Sequence, residues 1–450
     1  MLPLAQLMLK NGHQVSGSDR SYDQGKLPEK FQAIQNEGIV LHAQDGSGVS
    51  DDIDMVVVSS AVEDHIPDIK KALALNLQIK KRAALLAQLF NERQGIAIAG
   101  TSGKTTVTAM AGHIFSVCGH SPTIVNGGRM INFDDQSAVI GEGQFFIAET
   151  DESDGSVALF KPAVGVLNNV AHDHKSVEEL KNIFIQYLNN CQQAIVINKD
   201  NEFCCELSKD VEKPRITFSI QKEADIKALN IKLQKSGISF KLVHGLEERD
   251  ISLHVPGEHN VSNALAAAAL ALSFGLPFEE ICTALEAFKG TKRRLEIVGT
   301  TERGITIYDD FAHNPDKIAA SLSTLKKFQG RLIAFFQPHG FGPTKMLKDE
   351  LIDTFVSHMG DNDVLVMPEI YYAGGTVEKS ISSKDVIDPI AARGRQALFF
   401  ETREECKTAI LEQVEEGDRI IIMGARDDSL SVLAQEILEF LSNQEYAVQM

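Results

Sequence analysis

Residues 96–106, IAIAGTSGKTT, join an apolar run to a Gly-x-x-Gly-Lys-Thr turn, and the helix-forming stretch TTVTAMAGHIF follows. Gly100 and Gly103 let backbone N–H groups approach a polyphosphate, Lys104 can neutralise β- and γ-phosphates, and Thr105 is placed to hold Mg²⁺. Thr101, Ser102 and Thr106 complete the run. Ile98 stands where the commoner eight-residue phosphate loop has its first glycine, so the match is to a shorter variant. A phosphate cradle serves hydrolases, kinases, ligases and switches alike, and the remaining polar clusters must decide among them.

Four clusters bear on that choice. In FFIAETDESD an apolar strand ends in Glu149, Asp151, Glu152 and Asp154, at the edge where open α/β sheets collect ligands. Mg²⁺ usually takes only one or two carboxylates, so not all four are ligands. If the strand continues, Glu149 and Asp151 share one face and Glu152 lies on the other. In VGVLNNVAHDH a second strand runs into Asn168, Asn169, His172, Asp173 and His174, where a His beside an Asp suits a metal ligand, a general base or an exposed loop. In VPGEHNVSNALAAAALAL, His259, Asn260 and Asn263 open an Ala-rich helix, more polar groups than a cap requires. Finally GTKRRLE carries Arg293 and Arg294, suited to a phosphate clamp or a surface ion pair, and IYDDFAHNP carries an Asp pair running into His313.

Short Val/Ile-rich runs alternate with amphipathic stretches along most of the chain, which predicts an α/β protein built from βα units. RITFSI, IKALNIKLQ and GISFKLV, by their period-two alternation, predict an antiparallel patch after residue 214. With 450 residues the chain exceeds what one core sustains, and three domains are expected: 1–92, 93–293 and 294–450. The first opens with a helix and what reads as a second strand, with neither a first strand nor a Gly-rich turn before them.

A net charge of -18 argues against a nucleic-acid partner while leaving room for a local nucleotide pocket. No apolar run approaches the roughly 20 residues that span a bilayer, so no membrane partner and a cytoplasmic location are expected. The six cysteines form no C-x-x-C pair or metal-finger spacing and read as structural.

GTSGKTT, AETDESD, LNNVAHDH, PGEHNVSNALAA, TKRRLE and YDDFAHNP occur in the order and spacing of the Mur ligases. Over essentially the whole chain the sequence resembles that family, most closely the branch that adds alanine or a recycled tripeptide to UDP-N-acetylmuramic acid. The resemblance implies a Rossmann-like UDP-sugar domain, a central P-loop ATPase domain and a Rossmann-like C-terminal domain for an amino acid or short peptide. It implies an ATP-dependent amide-bond ligase of peptidoglycan synthesis that works through an acyl phosphate.

On this resemblance Lys104, Glu149 and His174 are catalytic, and Thr105, Glu149 and His174 hold Mg²⁺. ATP meets residues 100–106, Asn260, Asn263, Arg294 and Asp310, while Asp19, Ser59, Ser60, Asn169, His313, His339 and Lys345 meet the substrates. A monomer or homodimer is expected.

Departures concern the acceptor. Ser102 replaces the branch's usual His, and QPHGFGPTK places Gly340 and Pro343 where alanine-adding relatives carry arginines, the natural carboxylate clamps. His339, Lys345 or Arg426 can substitute. The acceptor is therefore expected to be L-alanine or another amino acid, with the murein tripeptide as the alternative and a non-catalytic ATP-binding homologue as a further one. Relatives also carry GIGGxGM before the first helix, and on this resemblance Met1 is expected to be that motif's methionine, with the diphosphate turn then absent from this sequence; the alternative expectation is a domain that binds its ligand without that turn.

Overall fold

The computed structural model describes residues 1–450 apart from 60–64, 153–154, 171–176, 235–236, 373–378, 426, 428 and 450, and apart from the side chains of 177–178 and 444–449. Backbone proximity divides the chain into two compact units: Met1–Leu229 with Lys241–Ile251 and Val261–Ala287, and Asn230–Phe240 with Ser252–Asn260 and Phe288–Met450.

The first unit begins with α1 (Leu2–Lys10), β1 (Ser16–Ser18), α2 (Arg20–Asp23), α3 (Pro28–Asn36), β2 (Val40–His42), β3 (Met55–Val58), α4 (Pro67–Ala74), β4 (Gln78–Lys81) and α5 (Arg82–Asn91). β1 pairs with β2 and β3 with β4, both parallel, as two separate two-stranded sheets. α1 packs in two directions. Leu4 and Leu7 join Leu85, Leu86 and Phe90 of α5 in the larger core, whereas Leu2, Ala5 and Leu9 lie against Phe31, Ile34 and Ile39.

Next come β5 (Gln94–Ala99), α6 (Lys104–Val117), β6 (Thr123–Met130), β7 (Gln136–Val139), β8 (Phe145–Glu149), β9 (Val164–Leu167), α7 (Val177–Asn190), β10 (Ala194–Asn198), α8 (Glu202–Leu207), β11 (Arg215–Ser219), β12 (Ile226–Gln234), β13 (Gly237–His244), β14 (Glu247–Leu253), α9 (Glu258–Ser273) and α10 (Phe278–Glu286). These strands form one sheet in the order β14-β13-β12-β11-β10-β9-β5-β8-β6-β7. β5 is buried from Gly95 to Ala99 and lies parallel to both β8 and β9. From β5 the chain first winds to the β8 side and then crosses to β9, so the winding reverses at β5, which is where an α/β sheet opens a crevice beyond its strand ends.

The expectation of an antiparallel patch fails at its first pair: β11 and β12 run parallel, Phe218 opposite Ile226. Period-two alternation marks a strand with one buried face, not the direction in which it pairs. Asp225, just before β12, accepts from the Thr217 backbone N–H at 2.8 Å and from its hydroxyl at 2.6 Å, which extends the parallel register by one position and holds the start of β12 beside β11.

The last strands and helices belong to the second unit: β15 (Glu296–Thr300), β16 (Thr306–Asp310), α11 (Pro315–Leu325), β17 (Leu332–Gln337), α12 (Phe341–His358), β18 (Val364–Pro368), α13 (Lys384–Ala392), β19 (Gln396–Phe400), α14 (Arg403–Gln413), β20 (Arg419–Gly424) and α15 (Ser429–Gln449). Their sheet has the order β15-β16-β20-β17-β18-β19, with β15 antiparallel at one edge and the other pairs parallel. Strand residues alternate between two cores. Leu332, Ala334 and Phe336 join one, together with Ile421 and Met423, while Ile333, Phe335, Ile420 and Ile422 join the other. A sheet covered on both faces needs apolar residues at every position, which is why RLIAFF and RIIIMG read as unbroken runs.

Among the described residues no helix is long and apolar enough to cross a membrane. All six cysteines are free thiols, and four of them are buried.

Candidate active site

Three parallel neighbours, β8, β5 and β9, end side by side, and the polar residues that follow them form the site. The turn after β5 is held by the two asparagines that follow β9. Asn169 Oδ1 accepts from the Ser102 N–H at 2.8 Å and from the Thr101 hydroxyl at 2.9 Å, and its Nδ2 donates to the Ser102 carbonyl at 2.9 Å. Asn168 Nδ2 donates to the same carbonyl at 3.0 Å and to Asn263 Oδ1, on α9, at 3.1 Å. The side chain of Asn169, expected on a substrate, is thus engaged in shaping the phosphate loop.

Both loop glycines are required by geometry. Gly100 has φ 135° and Gly103, the residue capping α6, has φ 80°, backbone shapes that L side chains rarely adopt. A Cβ on Gly103 would stand 2.4 Å from Asn263 Oδ1 and 2.5 Å from Asn168 Nδ2. The loop therefore delivers the N-terminus of a 14-residue helix, α6, with its positive dipole end, to the crevice. Thr105 and Thr106, in its first turn, are buried.

Lys104 turns back over the loop. Its ammonium donates to the Gly100 carbonyl at 2.5 Å and to the two Glu152 oxygens at 2.9 Å and 2.8 Å. The strand reading of the acidic run needs correction here: β8 ends at Glu149, so alternation no longer governs Glu152, which folds in to meet Lys104. Burial pushes the Glu152 carboxyl up from the ordinary carboxylate range, against the pull of Lys104. Glu149 sits beside the loop's strand and accepts from the Gly127 N–H at 2.8 Å. Thr105 and Glu149 supply a hydroxyl and a carboxylate, hard oxygen donors of the kind Mg²⁺ accepts alongside phosphate and water. Among the described residues no three His, Cys, Asp or Glu gather as a metal cluster. His174, the other expected ligand, and its neighbours His172 and Asp173 lie outside the described residues, as do Asp154, Ser60 and Arg426.

In the second unit the two arginines divide their work. Arg293 is buried at φ 58° and donates to the carbonyls of Gly424 at 2.7 Å and Asp427 at 3.0 Å, with its Nε 3.2 Å from Asp309. It ties β16 to β20. Arg294 lies over the Phe311 ring, 4.9 Å from its centroid. Asp310 is buried and accepts from the Ser321 hydroxyl and from the Leu295 N–H at 3.3 Å, and burial pushes its carboxyl up against the pull of Ser321 and Arg294. His313 Nδ1 lies 2.9 Å from the Phe311 carbonyl. Asn260 Nδ2 donates to the Pro256 carbonyl at 2.7 Å.

At the ends of β17 and β18, His339 packs on Tyr371 with ring centroids 5.3 Å apart, and Gly340, at φ 79°, caps α12. Lys345 reaches Ser380 at 3.2 Å. Arg403 had no motif to mark it, yet it joins this edge. It donates to Gln337 at 2.7 Å, to Ser429 at 2.7 Å and to Asp427, and its guanidinium lies over Tyr371. Asp19 caps α2 by accepting from the Ser21 N–H at 2.7 Å, and Ser59 follows β3 directly.

Three family models cover nearly the whole chain: "Mur ligase family, catalytic domain" over residues 1–94, "Mur ligase middle domain" over 98–271 and "Mur ligase, glutamate ligase domain" over 293–426. The chain belongs to the Mur ligase family. Among curated members, a UDP-N-acetylmuramate–L-alanine ligase of Geotalea uraniireducens is 34% identical over 434 residues, 94% of this chain and 92% of that one. The enzyme of that name from Persephonella marina is 33% identical over 454 residues, 99% of this chain and 95% of its own. Among solved Mur ligase structures, the UDP-N-acetylmuramate-alanine ligase of Thermotoga maritima superposes with a TM-score of 0.81 at 25% identity, covering 99% of this chain and 97% of that one. A murein peptide ligase of Psychrobacter arcticus shares the fold, with a TM-score of 0.72 at 24% identity, covering 98% of this chain and 96% of its own. Members of this family are ATP-dependent ligases that form a C–N bond.

Proposed function

We propose that the protein joins UDP-N-acetylmuramate to L-alanine at the expense of ATP in peptidoglycan synthesis, giving ADP and phosphate. The observation that carries this is the 34% identity to a UDP-N-acetylmuramate–L-alanine ligase across 94% of the chain, with the phosphate loop, Lys104 and Glu149 intact. Lys104 and the α6 N-terminus bind the β- and γ-phosphates, Thr105, Glu149 and His174 hold Mg²⁺, and Asn260, Asn263, Arg294 and Asp310 complete ATP binding. The lactyl carboxylate attacks the γ-phosphorus, ADP leaves, and the amine then attacks the acyl carbon and releases phosphate. Mg²⁺, when bound, offsets the repulsion between carboxylate and phosphate. The protein's own groups fix the two reactants in line and keep water from the acyl phosphate.

We assign residues 1–92 to the UDP-sugar, 93–293 to ATP and 294–450 to the amino acid, in a cytoplasmic enzyme that is a monomer or homodimer. Asp19, Ser59, Ser60 and Asn169 serve the sugar side and His313, His339 and Lys345 the acceptor. Lys345 replaces the missing arginines as the cation for the amino acid's carboxylate.

The test measures ADP release and ligated product with UDP-N-acetylmuramate and, in turn, L-alanine, L-serine, glycine and the murein tripeptide. L-Alanine is expected to give the highest kcat/KM, and Lys104→Ala to lower it by at least 10³-fold, the scale of losing a charge that stabilises a transferring phosphoryl group. Preference for the tripeptide would overturn the acceptor, and full activity of the Lys104 variant would overturn the site.

A further inference from the structure

A P-loop lysine answers phosphate only if its donors can be given up to it, and here all three are spoken for. The Lys104 ammonium carries three N–H bonds, and three acceptors stand within reach: the Gly100 carbonyl at 2.5 Å and the Glu152 oxygens at 2.9 Å and 2.8 Å. The pair is largely enclosed, with the Lys104 side chain 14% and that of Glu152 10% exposed. Enclosure weakens solvent screening, so the charge on Glu152 is felt strongly by any anion brought to Lys104.

The position of Glu152 is also built rather than incidental. Thr150 is tied to the Ile98 carbonyl on β5 by its N–H at 3.0 Å and its hydroxyl at 2.9 Å. The Asp151 carbonyl accepts from the Val157 N–H at 3.1 Å and the Glu152 carbonyl from the Gly155 N–H at 3.2 Å, which holds the backbone of Glu152 in place.

We infer that Glu152 is a positioning residue that occupies the phosphate face of Lys104, so that nucleotide enters the loop by displacing a carboxylate and does so efficiently only with a divalent cation. The inference rests on the reading of residues 100–106 as the ATP loop. Polyphosphate and Glu152 are both anionic and compete for one ammonium. A divalent cation arriving with the nucleotide removes the repulsion and gives the released carboxylate an alternative counter-charge. Without it, the carboxylate keeps Lys104. Glu152 thus selects the metal complex of ATP over the free nucleotide and over other polyanions, a selectivity the glycine loop and helix end do not provide by themselves, because they attract every anion.

The test is calorimetric titration of wild type, Glu152→Gln and Glu152→Asp with ATP in EDTA, ATP with excess Mg²⁺, and AMP in EDTA. Glu152→Gln is expected to bind metal-free ATP at least tenfold more tightly than wild type, with a smaller change for the Mg²⁺ complex. Glu152→Asp keeps the charge and should stay within about threefold of wild type, since the effect is electrostatic rather than steric. AMP has no β- or γ-phosphate for Lys104 and should bind all three proteins alike.

If the Gln variant does not fold, as judged by its thermal melt, Glu152→Ala supplies the same comparison. A merely structural ion pair predicts the opposite pattern, with looser or unchanged binding of metal-free ATP, or AMP affinity changing in parallel, and either result would overturn the inference. Failure of wild type and variants alike to bind ATP with Mg²⁺ would overturn the reading of the loop, and the role of Glu152 with it.

Discussion

Asn169 illustrates how one side chain can hold a binding loop in shape. Its amide makes three hydrogen bonds to Thr101 and Ser102, each worth about 1 kcal/mol net. Asn169→Ala is expected to raise the KM for ATP about tenfold with a smaller effect on kcat, the mark of lost loop order rather than lost chemistry. Lys345→Ala should raise the KM for L-alanine by about tenfold, the scale of one charge-assisted hydrogen bond, and leave the KM for ATP unchanged. Steady-state kinetics check both.

Asp310 gives a pH signature. Its folded carboxyl titrates above the unfolded value, so between the two values the folded chain holds the extra proton, and stability falls as pH rises through that window. Asp310→Asn removes this slope. The melting temperature of the variant relative to wild type should climb from pH 4 towards pH 7, and a flat difference would show that burial of Asp310 is fully offset by Ser321 and Arg294.

Of these residues, the loop, Glu149 and the asparagines were legible from type and spacing. Glu152 was misplaced because a period-two reading presumes that the strand continues. Arg403 was invisible because its partners, Gln337, Tyr371 and Asp427, come from three separate parts of the sequence.

At the scale of elements, β9 and α7 hold the loop's supports in place. The Tyr187 hydroxyl, buried on α7, donates to the Ala97 carbonyl of β5 at 2.8 Å and lies 3.3 Å from the Val166 carbonyl of β9. A Cβ on Gly165 would come within 2.5 Å of Cys191 Sγ and 2.8 Å of that hydroxyl. Gly165→Ala should therefore destabilise by about 1–3 kcal/mol through overpacking and, by displacing the strand that carries Asn168 and Asn169, also weaken ATP binding. Tyr187→Phe should destabilise by about 1 kcal/mol with ATP binding unchanged. Denaturant unfolding paired with ATP titration separates the two.

Most core strands could be read from their apolar runs. β6 and β7 could not, since TIVNGGRM is interrupted by Asn and two glycines and QSAV is only four residues long. The parallel β11–β12 pair escaped because period-two alternation marks a strand with one buried face but carries no information on the direction in which it pairs.

For the molecule as a whole, the central claim is that this sheet edge presents the γ-phosphate of ATP to a carboxylate rather than to water. The net charge of -18 makes the positive loop an isolated feature, so that anionic substrates are drawn by the site and not by the surface at large. The direct test is oxygen transfer. UDP-N-acetylmuramate labelled with ¹⁸O in its lactyl carboxylate is turned over with ATP and L-alanine, and the released phosphate is analysed by mass spectrometry. An acyl phosphate predicts one ¹⁸O in each phosphate released, together with one left in the new amide. Unlabelled phosphate would mean that water attacks ATP directly, and would contradict the assignment of the loop to a ligase.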